Sequence, residues 1–196
     1  MNTPERPLRR SLLVGGLAAT AASVMAEARA EAQAQATPAL PSTPTTDKIP
    51  MLLPRTEFVY EAIADLEPTL QLGNSPFGER RMVPIIGGTF EGPGLKGRVM
   101  PGGADRQLVR RDGATALDAI YELQTHDGAV ISVRNRVLTR PLKSGEAGSG
   151  RYAFSTLEIT APDGPYGWLN DFVYVGTLNS LRPARAAVVI RVYRVI

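Results

Sequence analysis

The chain has 196 residues, with 22 Lys and Arg against 19 Asp and Glu, a formal net charge of +3, and 43% hydrophobic content. That composition suits a globular domain with one core, and the mild charge excludes the clustered basic face that nucleic acid requires, so no nucleic-acid partner is expected. There are no cysteines and one histidine, which excludes disulfides and thiolate chemistry and argues against a metal site or any other cofactor.

Arg9-Arg10-Ser11-Leu12-Leu13 opens a small, weakly apolar run from Leu12 to Met25. The run is shorter than the roughly 20 residues that cross a bilayer. A basic start, an apolar middle and A-x-A sites downstream describe a signal peptide over residues 1–36, and the paired arginines point to the twin-arginine route. Periplasmic or secreted localisation follows as an expectation, with no stable membrane insertion after cleavage. Residues 37–54, rich in Pro, Thr and Ala, have the composition of a linker.

From residue 55 onward the pattern is that of short strands. Thr56 to Ala64 alternates, Thr69 to Leu72 is a second short run, and Gly73-Asn74-Ser75-Pro76 is a turn cluster. Arg81 to Ile86 follows, with Pro84 marking an edge or bulged strand. Gly87 to Asp105 (GGTFEGPGLKGRVMPGGAD) is dense in glycine, which suggests reversals, bulges and close backbone approaches around two short strand-like patches. Gln107 to Arg111 ends at Asp112-Gly113, a hairpin signal. Ala116 to Thr125 has helix-forming residues, yet Leu117, Ala119, Tyr121 and Leu123 recur at period two, so a strand is expected. Ala129 to Leu138 and Tyr152 to Thr160 alternate clearly, and Trp168 to Val175 and Ala187 to Ile196 complete the set. About nine or ten short strands with Gly/Pro turns indicate an all-β fold, a single antiparallel barrel over residues 55–196.

Four places carry candidate chemistry. Asp105 ends a glycine-built turn and is a candidate base or ligand anchor; its alternative is a turn-capping role. Tyr121, on the apolar face of its strand, is a candidate proton donor or a core residue. Arg134, Asn135 and Arg136 interrupt an apolar strand: either the arginines face inward as an anion clamp, or Asn135 does as a buried ligand reader. Trp168 and Asn170 follow a turn and suit the wall of a pocket for a ring, or a plug under a loop. His126 sits at a hairpin tip and reads as exposed. No phosphate-binding loop, dinucleotide fingerprint or G-x-S-x-G elbow is present. The expected partner is a small aromatic or oxygenated molecule held in the barrel. The alternative is an acid/base enzyme (lyase, isomerase or dehydratase) using the same cavity.

The blocks VPIIGGTFEGPGLKGRVMPGGAD, LDAIYELQTHDGAVISVRNR and YGWLN with FVYVGT, in this order, resemble the family called domain of unknown function 3237, or uncharacterised protein family 0311. The resemblance spans Phe58 to Ile196 and implies a compact, lipocalin-like β-barrel. Two positions depart from the family pattern: Arg106 stands where an aromatic follows the Asp105 position, and Ile120 where an arginine precedes the Tyr121 position. If both line the family's pocket, the pocket of this chain differs in charge and shape.

Overall fold

The computed structural model describes residues 50–146 and 150–196, and the expected signal peptide and most of the expected linker lie outside these. Ten strands follow in chain order: β1 (Thr56–Leu66), β2 (Leu70–Ser75), β3 (Gly78–Gly92), β4 (Leu95–Val99), β5 (Gly103–Arg110), β6 (Thr115–Thr125), β7 (Val130–Pro141), β8 (Arg151–Thr160), β9 (Tyr174–Ser180) and β10 (Ala187–Val195). They close on themselves. From β1 the order runs through β10, β9, β8, β7 and β6. β6 then meets β5 along its first half and β4 near its end. Both pair with β3, which returns to β1. The result is a closed antiparallel barrel of eight strands with two strands outside the ring. Closure removes the unpaired edges that a sheet of this size would otherwise expose.

Alternation decides what faces inward. Along β7, Ile131, Val133, Asn135, Val137 and Thr139 are buried, while the residues between them are partly or fully exposed. The period-two side chains of β6 behave likewise, with Ala119, Tyr121 and Leu123 buried. The outer face is laced by ion pairs between neighbouring strands: Arg191 with Glu61, Arg194 with Glu57, Arg134 with Asp118, and Arg136 with Glu158. Exposed pairs of this kind contribute only about 0.2–1 kcal/mol each. The buried apolar side chains therefore carry most of the stability.

The glycine-rich stretch contains two reversals, at Pro93-Gly94 and Pro101-Gly102, but Gly87-Gly88 is not one of them. β3 runs straight through that pair, and the register against β1 shifts there. A Cβ on Gly88 would lie 1.9 Å from the Ile63 carbonyl oxygen, and φ is +133°. Only glycine lets the two backbones come this close. Pro84 falls at another junction on the same strand. β2 pairs with β3 up to Met82 and β1 begins at Ile85, so the amide that proline lacks lies between the two ladders.

Two expected spans shift. The turn cluster Gly73 to Pro76 belongs mostly to β2, with a bulge just before it between Gln71 and Gly73 and the reversal at Pro76-Phe77. Trp168 to Val175 is not one strand: Gly167–Asp171 forms a 3-10 turn and β9 begins at Tyr174. The reason is local. The Asn170 amide bonds both backbone groups of Ala161 and the Gly167 carbonyl, all at 3.0 Å, and this pins the turn. Leu169 is buried, and its carbonyl accepts the Tyr174 hydroxyl at 2.8 Å. Tyr166 donates to Asp127 at 3.0 Å. The 3-10 turn is thereby fastened to the β6–β7 turn and packs against the core at that end of the barrel.

Candidate functional site

At the other end the interior is open. A cavity of about 650 Å³ is lined by the first half of β6 and the second half of β7, together with parts of β1, β3, β5, β8, β9 and β10. Its lining is mixed: Leu66, Val83, Ile85, Leu117, Val137 and Ile190 give aliphatic surface, Thr115, Thr139 and Asn179 are polar, and Ala64, Ala119 and Ala153 leave room between the larger side chains. The volume lies within the usual range for small-molecule sites, about 300–1,000 Å³.

The polar groups enter by strand register. Asp105 on β5 pairs with Ala119 on β6, which pairs with Asn135 on β7. All three face inward, so a carboxyl and an amide flank a methyl side chain along one rung. Gln107, two residues after Asp105 on the same face, donates from Nε2 to Asp105 Oδ2 at 2.6 Å. Asp105 Oδ1 has no hydrogen-bond partner, and neither has Asn135 Oδ1. The hydroxyls of Tyr60 and Tyr121 are buried against each other, and that of Ser155 is buried without a partner. An oxygen left unbonded inside the barrel costs about 1–3 kcal/mol, so each one calls for a partner.

Burial raises the Asp105 carboxyl from its ordinary value to about 6, against the Gln107 hydrogen bond, which pulls it down. The carboxyl is therefore mostly ionised at neutral pH but keeps a protonated minority, a condition suited to proton exchange. The phenols of Tyr60 and Tyr121 are pushed up, chiefly by burial, and stay neutral. No cluster of metal-binding side chains occurs among the described residues.

The site residues expected from sequence therefore separate. Asp105, Tyr121 and Asn135 line one cavity. Arg134 and Arg136 do not join them, because alternation sends both to the outer face. There Arg134 grips Asp118 through two bonds of 2.8 and 2.6 Å, and Arg136 holds Glu158 at 2.9 Å. Of the two orientations open for that strand, the amide is the inward one. Trp168 and Asn170 belong to the closed end. Asn170 fastens the 3-10 turn, and the Trp168 ring packs edge-on to Phe172 with Arg194 5.7 Å from its centre. A cavity shared by Asp105, Arg134, Asn135 and Trp168 is thus corrected to one formed by Asp105, Tyr121 and Asn135. The two departures from the family pattern also face away from it: Ile120 is 47% exposed, and Arg106 lies with Arg136 and Asp118 beside an outer groove.

Several lining residues were missed from sequence: Gln107, Thr139, Arg151 and Arg182. Gln107 had a signal, the period-two spacing from Asp105. Arg151 and Arg182 had none, since they sit at the end of a loop and in a turn whose positions at the mouth only the closed barrel reveals.

The comparisons agree with this architecture. Residues 54–195 match the family model described as protein of unknown function (DUF3237). The chain is 34% identical over 133 residues to the UPF0311 protein RPA1785 of Rhodopseudomonas palustris, covering 62% of this chain and 86% of that one. The crystal structure of that protein superposes with a TM-score of 0.67 at 30% identity, over 74% of this chain and all of the other. A β-barrel-like protein from Acinetobacter baumannii gives 0.66 at 31% identity, over 76% of this chain and all of its own. A UPF0311 protein of Clostridium acetobutylicum is 33% identical over 129 residues, 61% of this chain and 82% of the relative. With the match covering nearly the whole barrel, the chain belongs to the DUF3237 (UPF0311) family.

Proposed function

We propose that this is an exported small-molecule-binding barrel whose ligand occupies the cavity beside Asp105, Tyr121 and Asn135. One observation carries the reading: the unpartnered polar oxygens gather in the interior of the barrel, and the Asp105 and Asn135 side chains that bear two of them line a partly aliphatic cavity of ligand size. A barrel needing only stability would fill that space with Val or Leu and leave no buried acceptor unbonded. A bound oxygenated molecule supplies the missing partners, and the aliphatic walls suit a ring or another compact apolar body. Export rests on the paired arginines and the weakly apolar run behind them. The ligand is a free small molecule; nucleic acid and stable membrane insertion have no part in it.

The test is a search for the occupant. Native mass spectrometry of the purified full chain should show a small-molecule adduct that denaturation releases, and Ala119→Leu, which fills the space between Asp105 and Asn135, should abolish it. A chain free of any adduct, which also gains no thermal stability from phenolic or carboxylated compounds, would end the reading.

A second reading, acid/base catalysis, is favoured by one specific feature. A carboxyl raised to about 6 and a neutral phenol, Tyr121, line the same cavity, so a base and a donor are both within it. Under that reading Asp105→Asn would remove turnover of the released compound while leaving its binding nearly intact. A pure binder would show no turnover in either form.

A further inference from the structure

Charge in the cavity is distributed by depth. The inner groups are one carboxyl and neutral amides and hydroxyls, whereas the cationic side chains among the lining residues are Arg81, Arg151 and Arg182. Arg81 is already committed to Glu79, through two bonds of 2.9 and 2.8 Å. Arg151 and Arg182 differ. Among the described residues neither takes part in an ion pair, although eight other arginines do. Arg151 only donates to Thr139 Oγ1 at 3.1 Å. Both are exposed at the cavity mouth, Arg151 at the start of β8 and Arg182 in the turn between β9 and β10.

We propose that the cavity takes a compact organic anion with an apolar body, its charged group held at the mouth by Arg151 and Arg182 and a hydroxyl at its inner end bonded to Asp105 and Asn135. The proposal rests on the ligand-binding reading above and adds the chemical class. Two guanidinium groups without carboxylate partners are suited to a carboxylate, which they bond in fork geometry. The inner end needs a donor, because the oxygens left unpaired on Asp105 and Asn135 both accept. The aliphatic side chains between the two ends, among them Val83, Leu117, Val137 and Ile190, disfavour a second charge beside them.

Three probes sharing one ring separate these contributions: 4-hydroxybenzoate, with anion and hydroxyl; benzoate, with the anion alone; and phenol, with the hydroxyl alone. Their affinities for the full chain are measured by titration calorimetry at pH 7 and low salt. The expected order places 4-hydroxybenzoate at least tenfold tighter than either of the others. Arg151→Gln combined with Arg182→Gln should weaken both carboxylates about tenfold and leave phenol within twofold. Arg98→Gln, a charge removed on the outer face, should change none. Asp105→Asn should weaken phenol and 4-hydroxybenzoate more than benzoate. If phenol binds as tightly as 4-hydroxybenzoate and the double variant changes nothing, the anionic class is wrong while the ligand-binding reading stands. If none of the three binds, this proposal falls, and the adduct search decides the broader reading separately. The ranking on the unsubstituted chain decides the matter even if the variants fold poorly.

Discussion

At the scale of single residues, Asp105 is the group whose placement costs most and reveals most. It is 9% exposed, has one bonded and one unbonded oxygen, and its carboxyl is raised from 3.8 to about 6. A carboxyl with a raised folded value favours folding in its protonated form. The stability linked to it is fully present below about pH 4 and is lost as pH rises through about 6. The raised value corresponds to a loss on the order of 2–3 kcal/mol across that window. Asp105→Asn keeps an acceptor for Gln107 and removes the titration. We expect the variant to melt higher than the unsubstituted chain at pH 8 and at nearly the same temperature at pH 4. Equal melting differences at both values would mean that the carboxyl titrates alike in the folded and unfolded chain, so that burial does not raise it. Asn135, at 1% exposure, carries the same lesson without charge: a buried amide is kept where it has something to read.

At the scale of elements, legibility depended on whether a strand's own pattern or its neighbours determined the outcome. β6 and β7 were readable because period-two burial is written within each segment, and that same alternation put Asn135 on a face opposite Arg134 and Arg136. Which face was interior was not readable, because both orientations left one polar set inside. The decision came from Asp118 and Glu158, outward residues on neighbouring strands that pair with the two arginines. The 3-10 turn was lost for a similar reason. Tyr166 to Asn170 has aromatic and apolar residues suited to a strand, but the amide of Asn170 meets Ala161, nine positions away, and this contact selects the turn. Glycines were legible as a group and not one by one. Gly87 and Gly88 have similar φ values, +153° and +133°, yet a Cβ on Gly87 would meet nothing within 4 Å, while one on Gly88 would strike the backbone of β1. Gly87→Ala should therefore cost about 1–3 kcal/mol, from its backbone angle alone. Gly88→Ala should cost distinctly more, on the order of 3 kcal/mol or above, because β1 and β3 must separate where the barrel closes. Urea melts of the two variants check this, and equal losses would show that β3 tolerates a shift at this junction.

At the scale of the whole molecule, the barrel is closed by ladders that begin at Thr56 and end at Val195. Arg55 and Ile196 exchange backbone hydrogen bonds of 2.9 and 2.8 Å beside that seam. All ten described strands lie between those positions. A barrel of this kind forms by long-range antiparallel pairing between the two ends of its sequence, and its first and last strands must meet before it is closed. On the exported reading proposed above, such a chain would gain from being folded before it crosses a membrane. The twin-arginine route carries folded cargo, and Arg9-Arg10 ahead of a weakly apolar run has its form. Lysine keeps the charge but not the guanidinium fork. We therefore expect Arg9→Lys with Arg10→Lys to cut the processed protein in the periplasm at least tenfold. The retained protein should stay in the cytoplasm with the same β-type circular dichroism and the same melting temperature, since the described ladders of the barrel begin only at Thr56. Fractionation of cells expressing the two forms, followed by melts of the cytoplasmic pool, makes the measurement. Undiminished periplasmic protein would remove the twin-arginine assignment. A retained pool without a cooperative melt would mean that the barrel does not close before export, and a thread-like route would then fit better.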